Sequence, residues 1–161
     1  MTGIIDRMMV YLDGSEESLA AAAYAVALAK QSGATLYALY VVNTRALNDL
    51  VTARIFLASE QDEYQHDLEA DAERYLNYAV KLGSDRGITV DPLRSQGTVN
   101  QEIKSKVDQL EIDLLIIGEL ARIRSRRDEF FDETERAMRS VGCSVLIVKD
   151  EERVWDLYDA L

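Results

Sequence analysis

Three apolar runs constrain this chain most. Thr35–Val42, Ile112–Ile117 and Cys143–Val148 are nearly continuous in apolar residues rather than alternating. A strand with one face in water alternates at every second residue. A strand without alternation reads as buried on both faces, as in a parallel sheet covered by helices. Two further runs, Met8–Leu12 and Ile88–Leu93, bring the predicted strands to five. Helical stripes lie between them: Leu19, Ala22, Ala23 and Val26, ended by Gly33; Tyr64, Leu68, Ala72, Tyr75, Leu76 and Ala79; Val99, Ile103, Val107 and Leu110, opened by a capping box of Thr98 and Gln101; and Phe130, Thr134, Ala137, Met138 and Val141. Strict alternation of strand and helix implies right-handed crossovers and a doubly wound α/β sheet. Pro92 cannot donate to a ladder, which sends the third strand to an edge and predicts the order 3-2-1-4-5 with helices on both faces.

The chain has 161 residues, enough for one domain, here residues 1–149, followed by a tail over 150–161. Val154, Leu157, Tyr158 and Leu161 recur in that tail at helical spacing, with Trp155 adjacent and acidic residues opposite. Cys143 is the one cysteine, which excludes an internal disulfide and suits a reducing compartment. No apolar run approaches the roughly 20 residues that span a bilayer, and no signal peptide is read at the start, so a cytoplasmic location is expected. The formal net charge of −11 repels phosphate backbones and anionic lipid, so neither nucleic acid nor membrane is expected as a partner. Arg122, Arg124, Arg126 and Arg127 form the one local basic cluster.

In an open α/β sheet, ligands bind beyond the carboxyl ends of the strands where strand order reverses. Here that point lies between the first and fourth strands. It offers Asp13, Gly14 and Ser15, then Gly118 onward, with Val41 and Val42 ending the neighbouring second strand. Other chemistries lack their residues. His66 is the only histidine, which disfavours a zinc site and a nucleophile–histidine pair. It reads as a solvated helix residue, and Cys143 as an inert core thiol. A P-loop and a Gly-x-Gly-x-x-Gly fingerprint are absent. Adenylating synthetases place Ser-Gly-Gly-x-Asp-Ser after the first strand, where this chain has Asp13-Gly14-Ser15-Glu16-Glu17-Ser18. No catalytic or metal-binding residue is predicted.

Met9-Val10-Tyr11-Leu12-Asp13-Gly14-Ser15-Glu16-Glu17-Ser18, Asp113-Leu114-Leu115-Ile116-Ile117-Gly118 and Cys143-Ser144-Val145-Leu146-Ile147-Val148, with Gly97 after the third strand, resemble the universal stress protein family over about residues 6–149. Ser144 stands where the family often has Pro. The resemblance implies that Asp13, Gly14, Val41 and Val42 face an adenine nucleoside. The alternative is that Asp13 caps the first helix or closes a turn and the valines are core. ATP-binding members carry Gly-x2-Gly-x9-Gly-Ser/Thr after the fourth strand, which cradles phosphate. From Gly118 the same spacing places Ala121 at the second glycine and Phe131-Asp132 at the final pair. The expectation is therefore no cofactor, with ATP or AMP held through Arg122 and Arg124 as the alternative. The resemblance also implies a homodimer through the fifth strand, and the tail suggests a protein partner. A stress-response regulatory protein is the predicted function. The competing readings are an adenine-nucleotide sensor that uses the arginine loop, and an enzyme with residues 43–58 as a lid.

Overall fold

The computed structural model describes residues 3–44, 52–53, 58–120 and 129–161, with backbone alone at 58, 59 and 129–132. Most of the 43–58 connection lies outside the described residues.

Five parallel strands, β1 (Arg7–Leu12), β2 (Thr35–Val42), β3 (Val90–Gln96), β4 (Leu114–Gly118) and β5 (Ser144–Val148), form one sheet in the order β3-β2-β1-β4-β5. The predicted order and topology are those observed. Met8 pairs with both Leu36 and Leu114, so β1 is central. The two-faced apolar reading holds for β2 and β4. It fails for β5, where Ser144 and Ile147 are exposed. β5 has a neighbour on one side only, so its apolar run does not report full burial. The third strand starts at Val90 and runs to Gln96 instead of covering 88–93, because its ladder follows β2 from Leu36↔Val90 to Val42↔Gln96. An edge strand needs no apolar pattern, and Pro92 is tolerated there as predicted.

Helices cover both faces. α1 (Glu16–Ser32), α2 (Ala58–Ser84) and α5 (Glu151–Asp159) lie on one side, and α3 (Val99–Gln109) and α4 (Glu129–Ser140) on the other. Strand alternation sorts the core. Met8, Val10, Leu12, Ala38 and Tyr40 meet α1 and α2, whereas Met9, Tyr11, Leu39 and Val41 meet α3 and α4. α1 is alanine-rich and packs closely, with Ala20 to Ala23, Ala25 and Ala29 all buried. Gly33 ends it in the left-handed region at φ 74°, its N–H donating to the Ala29 carbonyl as a glycine cap should.

Two local expectations are corrected. The Thr98 hydroxyl makes no cap hydrogen bond. Instead the Glu133 carboxylate of α4 accepts from the Asn100 N–H at 3.3 Å, and an ionised acceptor is the stronger partner for an open helix start. In the tail, Leu157 is 41% exposed, whereas Val154 and Tyr158 are buried and Trp155 packs against the same cluster. α5 lies along α1. The Tyr158 hydroxyl donates to the Leu82 carbonyl at 2.7 Å. Arg86 stacks over the Tyr158 ring at 4.3 Å and donates from Nε to the Tyr158 carbonyl at 3.1 Å.

Candidate functional site

The chain leaves β1 at Leu12 and must turn sharply to start α1. Asp13 makes that turn: its Oδ1 accepts from the Ser15 N–H at 2.9 Å and from the Ser15 hydroxyl. Ser15 then caps α1, its Oγ accepting from the Ser18 N–H at 3.1 Å. So Asp13 closes the turn and Ser15, not Asp13, is the cap. Gly14 sits at φ 86°, and a Cβ there would lie 2.8 Å from the Tyr75 ring. Tyr75 stacks on Tyr40 with centroids 6.0 Å apart, and Arg74 covers its ring at 4.9 Å. Burial, then Asp71, pushes the Tyr40 hydroxyl up to about 12. The α2 side of the Gly14 turn is thus covered by aromatic rings.

Gly118 ends β4 directly against the start of α1. A Cβ on it would lie 2.6 Å from the backbone carbon and oxygen of Glu17. The absence of a side chain is therefore required by strand-to-helix packing at the switch point. Between Gly118 and Asp13 a small cleft opens, lined also by Tyr11, Ser15, Glu17, Ser18, Ile117, Glu119, Leu120 and Thr134. It lies where the sheet topology placed it. Tyr11 forms its buried wall and is only 7% exposed. Burial, then the Asp13 carboxylate, pushes the Tyr11 hydroxyl above the usual tyrosine range, while hydrogen bonding to Thr134 opposes the shift. The hydroxyl stays protonated across the physiological range.

The charge at this cleft is negative. Asp13, Glu17 and Glu119 stand on it, and Glu151 at the start of α5 approaches Glu17, Glu16 and Glu119. Burial, then those three carboxylates, raises the Glu151 carboxyl above its usual range. Among the described residues, no Lys or Arg pairs with any of them, and no group of acidic, histidine or cysteine side chains is arranged to hold a metal.

The predicted residues divide accordingly. Asp13, Gly14 and Gly118 converge at the mouth of β1 and β4. Val41 and Val42 are both buried but face opposite sides of the sheet, Val41 toward α3 and α4 and Val42 toward α1 and α2. The two side chains point to opposite faces as strand alternation requires. Ala121, Arg122 and Arg124 lie outside the described residues. Positions 131 and 132 fall in the first turn of α4, their side chains likewise outside. His66 is exposed, and Cys143 is half-buried, with burial raising its thiol. Sequence reasoning passed over Tyr11, Glu17, Glu119 and Thr134. Period-two counting back from Asp13 would have put Tyr11 on its face of β1.

Comparison with known proteins agrees with this fold. Residues 5–149 match the model of the universal stress protein family. A universal stress protein of Methanocaldococcus jannaschii is 26% identical over 148 residues, covering 91% of this chain and 84% of that one. A crystal structure from the universal stress protein family of Burkholderia pseudomallei superposes with TM-score 0.71 at 19% identity, covering 93% of this chain and all of the other. An AMP-bound family structure from Arabidopsis thaliana gives TM-score 0.64 at 14% identity, covering 89% of this chain and 91% of the other. With the family model spanning the whole five-stranded sheet and its switch point, this chain belongs to the universal stress protein family.

Proposed function

We propose that this protein is a stress-response regulator that acts through self-association and a protein partner, without holding ATP as its ATP-binding relatives do. The carrying observation is the sign of charge at the cleft: Asp13, Glu17 and Glu119 all line it. A triphosphate needs amide or cationic donors at contact distance, and carboxylates oppose it. The Asp13 carboxylate is already engaged with Ser15, and the Asn100 amide at the start of α3 with Glu133. Position 132 adds an aspartate where nucleotide-binding members have a hydroxyl.

Self-association is read from the sheet edges. β3 carries Asp91, Pro92 and Arg94, which blunt an edge. β5 has no such residue and leaves Val145 and Leu146 half-buried and Ile147 37% exposed. A second copy of β5 is the partner that would cover it, with the homodimer formed about a two-fold axis. The tail offers Leu157 on its outer face to a protein partner.

The nucleotide-sensor reading is favoured by one observation, the AMP held by the related Arabidopsis structure. Calorimetric titration separates the two. The regulator reading expects no saturable heat with Mg-ATP or AMP at low salt. A dissociation constant in the low micromolar range, strongly weakened by salt, would establish the sensor instead, with Arg122 and Arg124 as the phosphate clamp. Sedimentation at about 100 μM, far above the dissociation constants of stable dimers, tests assembly: a monomer there would remove the dimer from the proposal.

A further inference from the structure

We infer that α5 is a latch worked by charge: Leu82 and Arg86 clasp its far end, Glu16, Glu17 and Glu119 oppose its near end, and a proton taken up at Glu151 tightens it on α1. The inference does not depend on whether a nucleotide or a second subunit binds. α5 lies beyond residues 5–149, the part of the chain that matches the family. The sheet register builds the near end. Val148 pairs with Gly118 on the last rung between β4 and β5, and Gly118 abuts the Glu17 backbone. The ends of both strands and the start of α1 therefore meet. Glu119 follows β4 there, and Glu151 opens α5 just past β5. Between them Asp150 turns the chain in the left-handed region at φ 62°, and its carboxylate caps α5 by accepting from the Arg153 N–H at 3.2 Å. α5 then runs along α1, with Glu16 and Glu17 in the first turn of one helix and Glu151 in the first turn of the other.

The two ends of α5 are held differently. At the far end Tyr158 is buried, its hydroxyl bonded to the Leu82 carbonyl and its ring under Arg86. Asp85, Arg86 and Tyr78 are the charged or titratable groups of the α2 region around it. Positions 151 and 158 are about 10 Å apart along the helix axis, so this clasp does not reach Glu151. At the near end the groups facing Glu151 are Glu17 and Glu16 from α1 and Glu119 from the end of β4. Its chain neighbours Lys149, Asp150, Glu152 and Arg153 are exposed, whereas Glu151 is half-buried. Among the described residues no Lys or Arg pairs with any of the four glutamates. Burial, then Glu17, Glu16 and Glu119, raises the Glu151 carboxyl. The sign follows. A carboxyl raised by docking favours the docked state while it is protonated. As pH climbs from the ordinary glutamate value through the raised one, a fourth charge forms and docking weakens. Two effects compete in the ionised state. The dipole of α5 favours a carboxylate in its first turn. Three facing carboxylates oppose it, and solvent and salt screen a half-buried charge less than an exposed one.

The test is amide hydrogen exchange of α5, corrected for the intrinsic pH dependence of exchange, with β1 as internal reference. It compares the unaltered protein, Glu151→Gln, Glu152→Gln and Glu17→Gln at about pH 5 and about pH 8, both above the ordinary glutamate value. In the unaltered protein α5 should lose protection between the two, and β1 should change less. Glu151→Gln should slow α5 exchange by about threefold or more at the higher pH, the scale of several like-charge pairs. It should also remove most of the pH dependence. Glu152→Gln lies in the same turn but is exposed, so it loses only the dipole effect and should not slow exchange. Glu17→Gln should slow exchange less than Glu151→Gln and add little when combined with it, because the two share one repulsion. If α5 in Glu151→Gln exchanges as fast as in the unaltered protein at the higher pH, or faster, the dipole outweighs the repulsion and the inference is overturned. Equal slowing by Glu152→Gln would overturn it too, as an effect of net charge. So would equal slowing in α5 and β1, which would make α5 part of the domain core and not a latch.

Discussion

Replacing Tyr158 by phenylalanine removes one oxygen atom and tests what anchors α5. The Tyr158 hydroxyl donates to the Leu82 carbonyl at 2.7 Å, in the last turn of α2, and Tyr158 is 6% exposed. Phenylalanine keeps the ring under Arg86 and leaves the Arg86 bond to the Tyr158 carbonyl intact. The change therefore isolates the hydroxyl. A net hydrogen bond contributes about 1 kcal/mol, and a buried carbonyl left without a partner raises the cost toward about 2 kcal/mol. In a chain of this size each 1 kcal/mol shifts the melting temperature by roughly 2–4 °C, so a fall of about 2–8 °C is expected. Trp155, the single tryptophan, lies edge-on to Tyr158 with centroids 5.8 Å apart and reports α5 directly. Urea unfolding followed by its fluorescence and by far-ultraviolet circular dichroism then distinguishes two outcomes. If α5 unfolds with the domain, both midpoints fall together. If it detaches first, the fluorescence midpoint falls further. Midpoints unchanged by both probes, to within about 0.3 kcal/mol against the 1 kcal/mol expected, would refute the hydroxyl as an anchor.

Gly118→Ala places a methyl group 2.6 Å from the Glu17 backbone. Because backbone rather than a flexible side chain must move, a loss of about 1–3 kcal/mol is expected in chemical denaturation; an unchanged midpoint would show that α1 shifts freely. Asp113 accepts from the Asp6 and Arg7 amides at 2.8 and 2.9 Å, which hold its carboxyl below the usual carboxylate range. A carboxyl depressed in the folded state stabilises above its unfolded pKa, and that contribution is lost as pH falls through the folded value. Asp113→Asn should therefore narrow the loss of stability on acidification, seen as a smaller shift of the urea midpoint between pH 5 and 3 (about one unit either side of the ordinary carboxylate value). Equal shifts in both proteins would contradict the assignment.

Period and punctuation determined the sheet. Unbroken apolar runs at Thr35–Val42 and Ile112–Ile117, helical stripes between them and Pro92 in the third strand are local properties, and they sufficed for the order β3-β2-β1-β4-β5. The same logic led to the mouth of β1 and β4, where the structure opens a cleft lined by Asp13 and Gly118. Local pattern misled where exposure depends on neighbours. The edge position of β5 followed from the predicted order, but its apolar run reads as buried on both faces whereas Ser144 and Ile147 are exposed; Leu157 reads as core but faces out, because which face of α5 is covered depends on where α1 and α2 lie.

Only the tertiary structure decided what stands in the cleft. Glu133 reaches the start of α3 across 33 positions of sequence, and Thr134 reaches Tyr11 across more than a hundred. Neither pairing has a periodic signature, since each is made by two elements that crossovers bring together. The need for Gly118 has the same origin. Its sequence context permits many residues, but the start of α1 lies within 2.6 Å of where a side chain would begin. Sequence specified the elements and their order, because those follow from which residues must leave water. What lines the cleft followed from the distances between elements, which packing alone sets.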